Sequence, residues 1–333
     1  MTEDEIISYI DNQFRRIVNE NFPEIKSPSS GSSGPSFHIY LPTQNKYFKD
    51  TPYYYNGNLE FIHWTSIDNL FSIINGKTIR FYNLIHSEDE SEFILAAKAY
   101  GMSDGEIEYA KKYYYTFSCC SADDLESEHL WKHYGNDYKG AAIRFRITNN
   151  PEDWNRYHIS KIQYNIPQRF ETFRKQIQEL EFEFSSSRVK LKFDFDRFLG
   201  FHKKNQFANE KEVRIATYYP YENFEEYDKF AKTQFRFSET RNRISSYIEL
   251  PLWVNNKSAY VKSSNPELDR RQVLSTDYFT THPKIEILNI YFGMNCGLQN
   301  KDYLQYSKIL RHIIKMNFGY EVNLDLNLFG KLL

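Results

Sequence analysis

Apolar residues recur along this chain at two periods, and each period predicts an element. Ile6, Ile7, Ile10, Phe14 and Ile17 fall at helical spacing within residues 4–21, which predicts an amphipathic helix. From Leu59 the pattern shortens. LEFIHW reads as a buried strand, SIDNLFSIIN as a helix capped by Ser66 or Asp68 with Gly76 at its C-cap, and TIRFYN as a second strand. SEDESEFILAAKAYG predicts a helix whose acidic first turn suits the helix dipole. YYYTFSCCS reads as a strand, LESEHLWKHYG as a short helix stopped by Gly135, and GAAIRFRI as a strand. Residues 168–200 predict a long helix or helical pair, a strand begins near Glu212, IEILNIYFG is a late strand, and residues 301–316 form a C-terminal helix.

Between these elements, SPSSGSSGPS at residues 27–36 carries too little apolar surface to order itself, and predicts a flexible linker. Residues 37–58 continue it as an irregular arm. Helices and strands interleave without an internal repeat, GxGxxG or P-loop, so neither common phosphate-cradling turn is available. The fold class expected is α+β.

Composition narrows the partners. The formal net charge of -2 over 333 residues gives no global pull toward nucleic acid or an anionic membrane, although a local basic groove remains open. The acidic start MTEDEIISYIDNQF lacks the regions of a signal peptide, and no stretch nears the ~18 apolar residues of a membrane span. A cytoplasmic protein is expected. Cys119, Cys120 and Cys296 fit neither a disulfide framework nor a thiolate zinc site. The 27 Tyr and 27 Phe can serve as stacking platforms for bases or nicotinamide, or simply build the core.

Three clusters can carry chemistry. His63 and Thr65 share one face of a strand and can hydrogen-bond ribose hydroxyls, or His63 is a structural histidine. Ser118 and Ser121 flank the cysteine pair, followed by His129, Trp131, His133 and Tyr134. The two histidines stand at i and i+4, but the HExxH glutamate is absent and no third ligand is evident, so no metal is expected. In Glu210-Lys211-Glu212-Val213-Arg214, a strand would put Glu210, Glu212 and Arg214 on one face. A carboxylate beside an arginine stays ionised and can stabilise an oxocarbenium-like centre; the plain alternative is a salt-bridged strand edge.

Together these segments resemble a bacterial domain-of-unknown-function family. The features carrying the resemblance are an H/Y-x-T strand (His63–Thr65), Phe117-Ser118, W-x-x-Y-G (Trp131–Gly135) with Lys139-Gly140, E-x-E-x-R (Glu210–Arg214) and a late strand ending at Gly293. The family's Asn-Asp-Pro is replaced by Ile85-His86-Ser87-Glu88. More distantly, HWTSIDNLFSIINGKTIRF resembles the opening of ADP-ribosyltransferase toxins. That resemblance implies a split β core, spanning residues 59–296 here, with a helical insertion near 168–200. An N-terminal helix (1–26) and linker (27–58) would precede it, and a C-terminal helix and tail (297–333) would follow.

The resemblance also implies roles. His63 and Thr65 would hold NAD, the substrate, with Tyr82 stacking on nicotinamide and Ser118 and Tyr134 lining the cofactor site. Glu212 would be catalytic, with Glu210 and Arg214 beside it. The expected function is transfer of ADP-ribose from NAD to a macromolecule (RNA, DNA or protein). Such proteins serve as toxins or phage-defence effectors, restrained by an antitoxin or other inhibitory partner. The alternatives are a non-catalytic module binding a nucleotide or single-stranded nucleic acid, and a plain interaction protein.

Overall fold

Thr2 starts the first helix, α1 (Glu3–Asn21), with a capping box: its hydroxyl accepts from the Glu5 N–H, and the Glu5 carboxylate accepts from the Thr2 N–H at 2.7 Å. The computed structural model describes residues 2–26, 28–33, 35–87, 92–218, 233–238, 243–254, 278–297 and 300–326. Ile10, Phe14 and Val18 bury one face of α1. That face packs on α6 (Arg169–Glu183) through Phe22, which meets Phe170 and Phe173.

Within the Ser/Gly/Pro run expected as a flexible linker, residues 29–33 form a strand, while Ser27 and Gly34 lie outside the described residues. Strand β1 (Ser29–Ser33) pairs antiparallel with β2 (Ser36–Tyr40), and β2 pairs in parallel with β8 (Lys190–Phe193). Serine and glycine suffice at such an edge because the ladder bonds are backbone bonds. Phe37 and Ile39 of β2 supply the buried apolar surface. Residues 168–200, expected as a long helix or helical pair, hold α6 and the short α7 (Asp196–Leu199) with β8 between them.

The remaining strands form a ten-stranded mixed sheet, which bears out an α+β class. They are β3 (Glu60–Thr65), β4 (Thr78–Asn83), β5 (Tyr114–Ser121), β6 (Ala141–Ile147), β7 (Tyr157–Lys161), β9 (Val213–Tyr218), β10 (Gln234–Ser238), β11 (Arg243–Pro251), β12 (Ile285–Phe292) and β13 (Asn323–Leu326). Their order is β10-β11-β4-β5-β3-β6-β12-β13, and β9 pairs with β5 and β7. β5 is the junction. Its start pairs with β4 through Tyr115–Thr116, its end with β3 through Cys120–Ser121, and Tyr114–Cys119 lie along β9.

Helix α2 (Ile67–Gly76) is capped by the Ser66 hydroxyl, as expected, but Lys77 takes the left-handed C-cap in place of Gly76. The helix expected from residue 87 begins only at Ile94, as α3 (Ile94–Tyr100), with Phe93 at positive φ; residues 88–91 lie outside the described residues. A further helix, α4 (Asp104–Lys112), opens on a Ser103–Glu106 capping box. α5 (Glu128–His133) packs Leu130 and Trp131 inward. Near the C-terminus come α8 (Tyr278–Thr281) and α9 (Asn300–Phe318); residues 327–333 of the expected tail lie outside the described residues.

Two cores flank the sheet. One collects Phe61, Phe117, Phe145, Leu70 and Ile314 under α2 and α9. The other joins α1, α3, α4, α6 and α7 through a dense set of rings, with Phe22 stacked on Phe195 at 4.6 Å. Much of the aromatic content is therefore core. Among the described residues, no helix is long and apolar enough to cross a membrane.

Candidate functional site

Strand β9 begins one turn after a sharp backbone reversal. Residues Asn205–Glu210 form a 3-10 turn, and Lys211 closes it at φ 47°. Glu212 just precedes the strand and Glu210 lies in the turn, contrary to the expectation that both share the strand face with Arg214. The reversal nevertheless returns the Glu210 carboxylate to the same place. Lys203, just before the turn, brings its Nζ to 2.9 Å from Glu210 Oε2, 2.5 Å from Glu212 Oε2 and 3.6 Å from Glu92 Oε1.

Arg214 completes the group from the strand. Its Nε donates to Glu212 Oε1 at 2.8 Å, its Nη2 pairs with Glu92, and its Nη1 donates to the Gly200 carbonyl at the end of α7. Ser118 stands opposite Arg214 in the β5–β9 register, so its hydroxyl lies on the same face and donates to Glu212 Oε1 at 2.5 Å. Ser87 donates to Glu92, and the Glu212 N–H donates to the Tyr164 hydroxyl at 2.9 Å. Tyr134, at the end of α5, donates its phenol to Glu210 and is 45% exposed; it is the cluster's open edge.

Among the described residues, three carboxylates thus face two cations, a formal balance of one negative charge, and Glu212 is only 4% exposed. Burial pushes the Glu212 carboxyl up, but Arg214 and Lys203 outweigh it and hold it below the usual carboxylate range. The same competition brings Glu92 down to about 2. Burial would discharge Lys203 and Arg214, yet the carboxylates around them raise both. Burial and the bond to Glu210 raise the Tyr134 phenol, so it stays a proton donor.

The structure therefore brings together Glu210, Glu212, Arg214, Ser118 and Tyr134. It separates the other expected residues. The His63 ring lies 4.7 Å from Phe117, on the sheet face opposite Ser118, and its Nδ1 meets the Ser118 carbonyl at 3.0 Å. Burial lowers its pKa. It borders a small apolar cavity lined by Ile79, Phe117, Ile143 and Phe145. Thr65 shares the His63 face and is buried. Tyr82, opposite Thr116, packs its ring 5.7 Å from Tyr247, two strands from Glu212 in the ladder.

Lys203, Glu92 and Tyr164 were not anticipated. Lys203 has no signal separating it from Lys204, and Glu92 sits among several acids in SEDESE. Their roles arise from chain segments far apart in sequence. The His129 and His133 rings lie 4.4 Å apart with their planes tilted at 48°, but among the described residues no group of three or more His, Cys, Asp or Glu could hold a metal. Burial raises the Cys119 and Cys120 thiols, so neither is poised as a nucleophile.

Two glycines hold the loop that carries Tyr134. A Cβ on Gly140 would lie 2.2 Å from the Thr65 carbonyl, and one on Gly293 would lie 2.1 Å from that of Tyr138. Just before Gly140, Asn136, Asp137 and Tyr138 run consecutively at φ 52°, 52° and 62°, a conformation that persists only where the surroundings impose it. The Gly293 N–H donates to Gly140 O, and the Gly140 N–H to Gly135 O, tying the loop to β12.

No curated protein and no solved structure matches the chain. Residues 130–215, which run from the start of the W-x-x-Y-G segment through Lys203, Glu210, Glu212 and Arg214, match the family model described as "Protein of unknown function (DUF2971)".

Proposed function

We propose that this chain transfers ADP-ribose from NAD to a macromolecule, with chemistry centred on the Glu210–Glu212 carboxylates. The observation that carries the reading is a carboxylate pair bridged by one buried lysine, with the half-exposed Tyr134 hydroxyl bonded at its outer edge. Cleaving the nicotinamide–ribose bond builds positive charge at the anomeric carbon. A fixed carboxylate in surroundings largely shielded from water stabilises that charge without reorganising. Access requires Tyr134 to release Glu210, which frees an acceptor for a ribose hydroxyl. Ser118 and Tyr134 remain the substrate contacts of this reading, while His63 and Thr65 support the sheet from behind.

A second reading has its own observation. Glu212 is enclosed, and its oxygens are engaged by Ser118, Arg214 and Lys203. That favours a module that binds a nucleotide without chemistry. Incubation with NAD and cellular RNA, DNA and protein, followed by assay of released nicotinamide, separates the two. Glu212→Gln keeps the side-chain volume and is expected to lower release a hundredfold or more. Binding of NAD without release, or release unchanged in the variant, would remove Glu212 from catalysis.

A further inference from the structure

Where β8 runs into α7, two aspartates stand two residues apart. Asp196 is buried, and its Oδ2 accepts from the Tyr218 hydroxyl of β9 at 2.8 Å. Its Oδ1 is buried without a hydrogen-bond partner among the described residues. A buried carboxylate oxygen is costly in that condition, so a donor is called for. The adjacent Arg197 does not supply it: its guanidinium turns to the Pro42 carbonyl and to the Phe48 and Phe198 rings. The side chain that does reach Asp196 is the partly exposed Asp194. Ionised carboxylates only accept, so a bond between the two needs a proton on one of them. A metal in that place would need further ligands, and among the described residues no group of three or more His, Cys, Asp or Glu could hold one.

Among the described residues facing the pair, Asp194 is the group that changes charge near neutral pH. Burial first, and then the Asp196 charge, raise its carboxyl to about 7 against the pull of Arg197 and the exposed Lys192. From β2, His38 faces Asp196; burial and Lys192 lower its pKa, so its ring is largely neutral at pH 7 and above. From α3, β5 and β9, burial raises the Tyr100, Tyr114 and Tyr218 phenols, which keep their protons. Burial lowers Arg197, yet a guanidinium holds its charge across this range. The junction carries structure on both sides. The Asp194 N–H donates to the Ile39 carbonyl of β2 at 3.0 Å, and α7 ends at Gly200, whose carbonyl accepts from Arg214.

We infer that Asp194 and Asp196 share one proton, and that its loss as pH rises unlatches the β8–α7 junction on which the Gly200 carbonyl, and with it Arg214, is held. The latch is independent of the transferase reading. Its sign follows from the raised folded-state pKa: the stabilisation is complete below about pH 4 and is lost as pH rises through about 7. Two measurements on the full chain test it. Carbon NMR of protein labelled at the aspartate carboxyls is expected to show a signal titrating near pH 7 in the wild type. That signal should be absent from Asp194→Asn and moved down in Asp196→Asn, where the neighbouring charge is gone. Hydrogen exchange, corrected for its intrinsic pH dependence, is expected to show residues 194–200 opening about tenfold more at pH 8 than at pH 5. In Asp194→Asn the amide donates to Asp196 without titrating, so that rise is expected to vanish.

The buried histidines are common to both proteins, so the comparison isolates the aspartate pair. Aspartate signals that all titrate below about pH 5 in the wild type would overturn the shared proton. So would a neutral titration that stays in place in Asp196→Asn. An opening of residues 194–200 that rises equally in wild type and Asp194→Asn would overturn the latch. The wild-type titration is a test by itself should a variant fail to fold.

Discussion

Replacing Arg214 by Met is expected to destabilise the fold by about 3–5 kcal/mol at neutral pH, the scale for removing one partner of a buried ion pair. Arg214 is among the largest fully buried side chains, and its guanidinium serves Glu92, Glu212 and the Gly200 carbonyl. The direction of the Glu92 shift is consistent with this: against the cost of burial, Arg214 and Lys203 hold its carboxyl well below the usual carboxylate range, so the fold favours its ionised form. A loss of this size is a large part of the ~5–15 kcal/mol that holds typical domains together.

The pH dependence gives the sign. In the wild type, the Glu92 pKa is lower in the folded than in the unfolded chain. Its stabilisation is therefore fully present above about pH 4.5 and is lost as pH falls toward about 2. In the variant, among the described residues, three carboxylates share Lys203 alone, so at least one folded-state pKa rises above its unfolded value. That group stabilises the fold when protonated, so the variant gains on the wild type as pH drops from 7 toward 4.5. Urea unfolding at pH 7.5 and pH 5, followed by fluorescence of the buried Trp131 and Trp154, measures both effects. A difference below about 1 kcal/mol, or one that does not change with pH, would show that the ion cluster does not hold this part of the fold.

Gly140→Ala should lower stability by about 1–3 kcal/mol or more, because its methyl meets the Thr65 carbonyl at 2.2 Å and backbone must move; a thermal midpoint equal to wild type would refute that packing. With a thiol-specific reagent under native conditions, Cys296 should react first, while the buried Cys119 and Cys120 react only on unfolding. Fast reaction of two or more thiols would contradict their burial.

Local rules read from the sequence held where one segment contains all the physics. The α1 helix follows from its apolar spacing, and α2 from its spacing and Ser66 cap. The β3, β4, β5, β6 and β12 strands follow from short apolar runs, because period and capping are properties of neighbours in the chain. Glu212, Arg214, Ser118 and Tyr134 stood out by residue type alone. Their meeting needed tertiary structure: β5–β9 register for Ser118 and Arg214, and the end of α5 for Tyr134.

Register also decided what motif reading could not. A period of two makes Phe117 and Ser118 point to opposite faces, so His63, packed on Phe117, ends up behind the sheet from Glu212. Glu210 reached the cluster although it is off the strand, because the left-handed Lys211 reversed the chain. Serine and glycine at residues 29–33 formed a strand because β2 offered backbone partners, a condition no composition reveals. Lys203 and Glu92 were invisible in sequence for the same reason. A buried charge is defined by the groups that surround it, and those came from β9, α7 and the residues before α3, brought together only by folding.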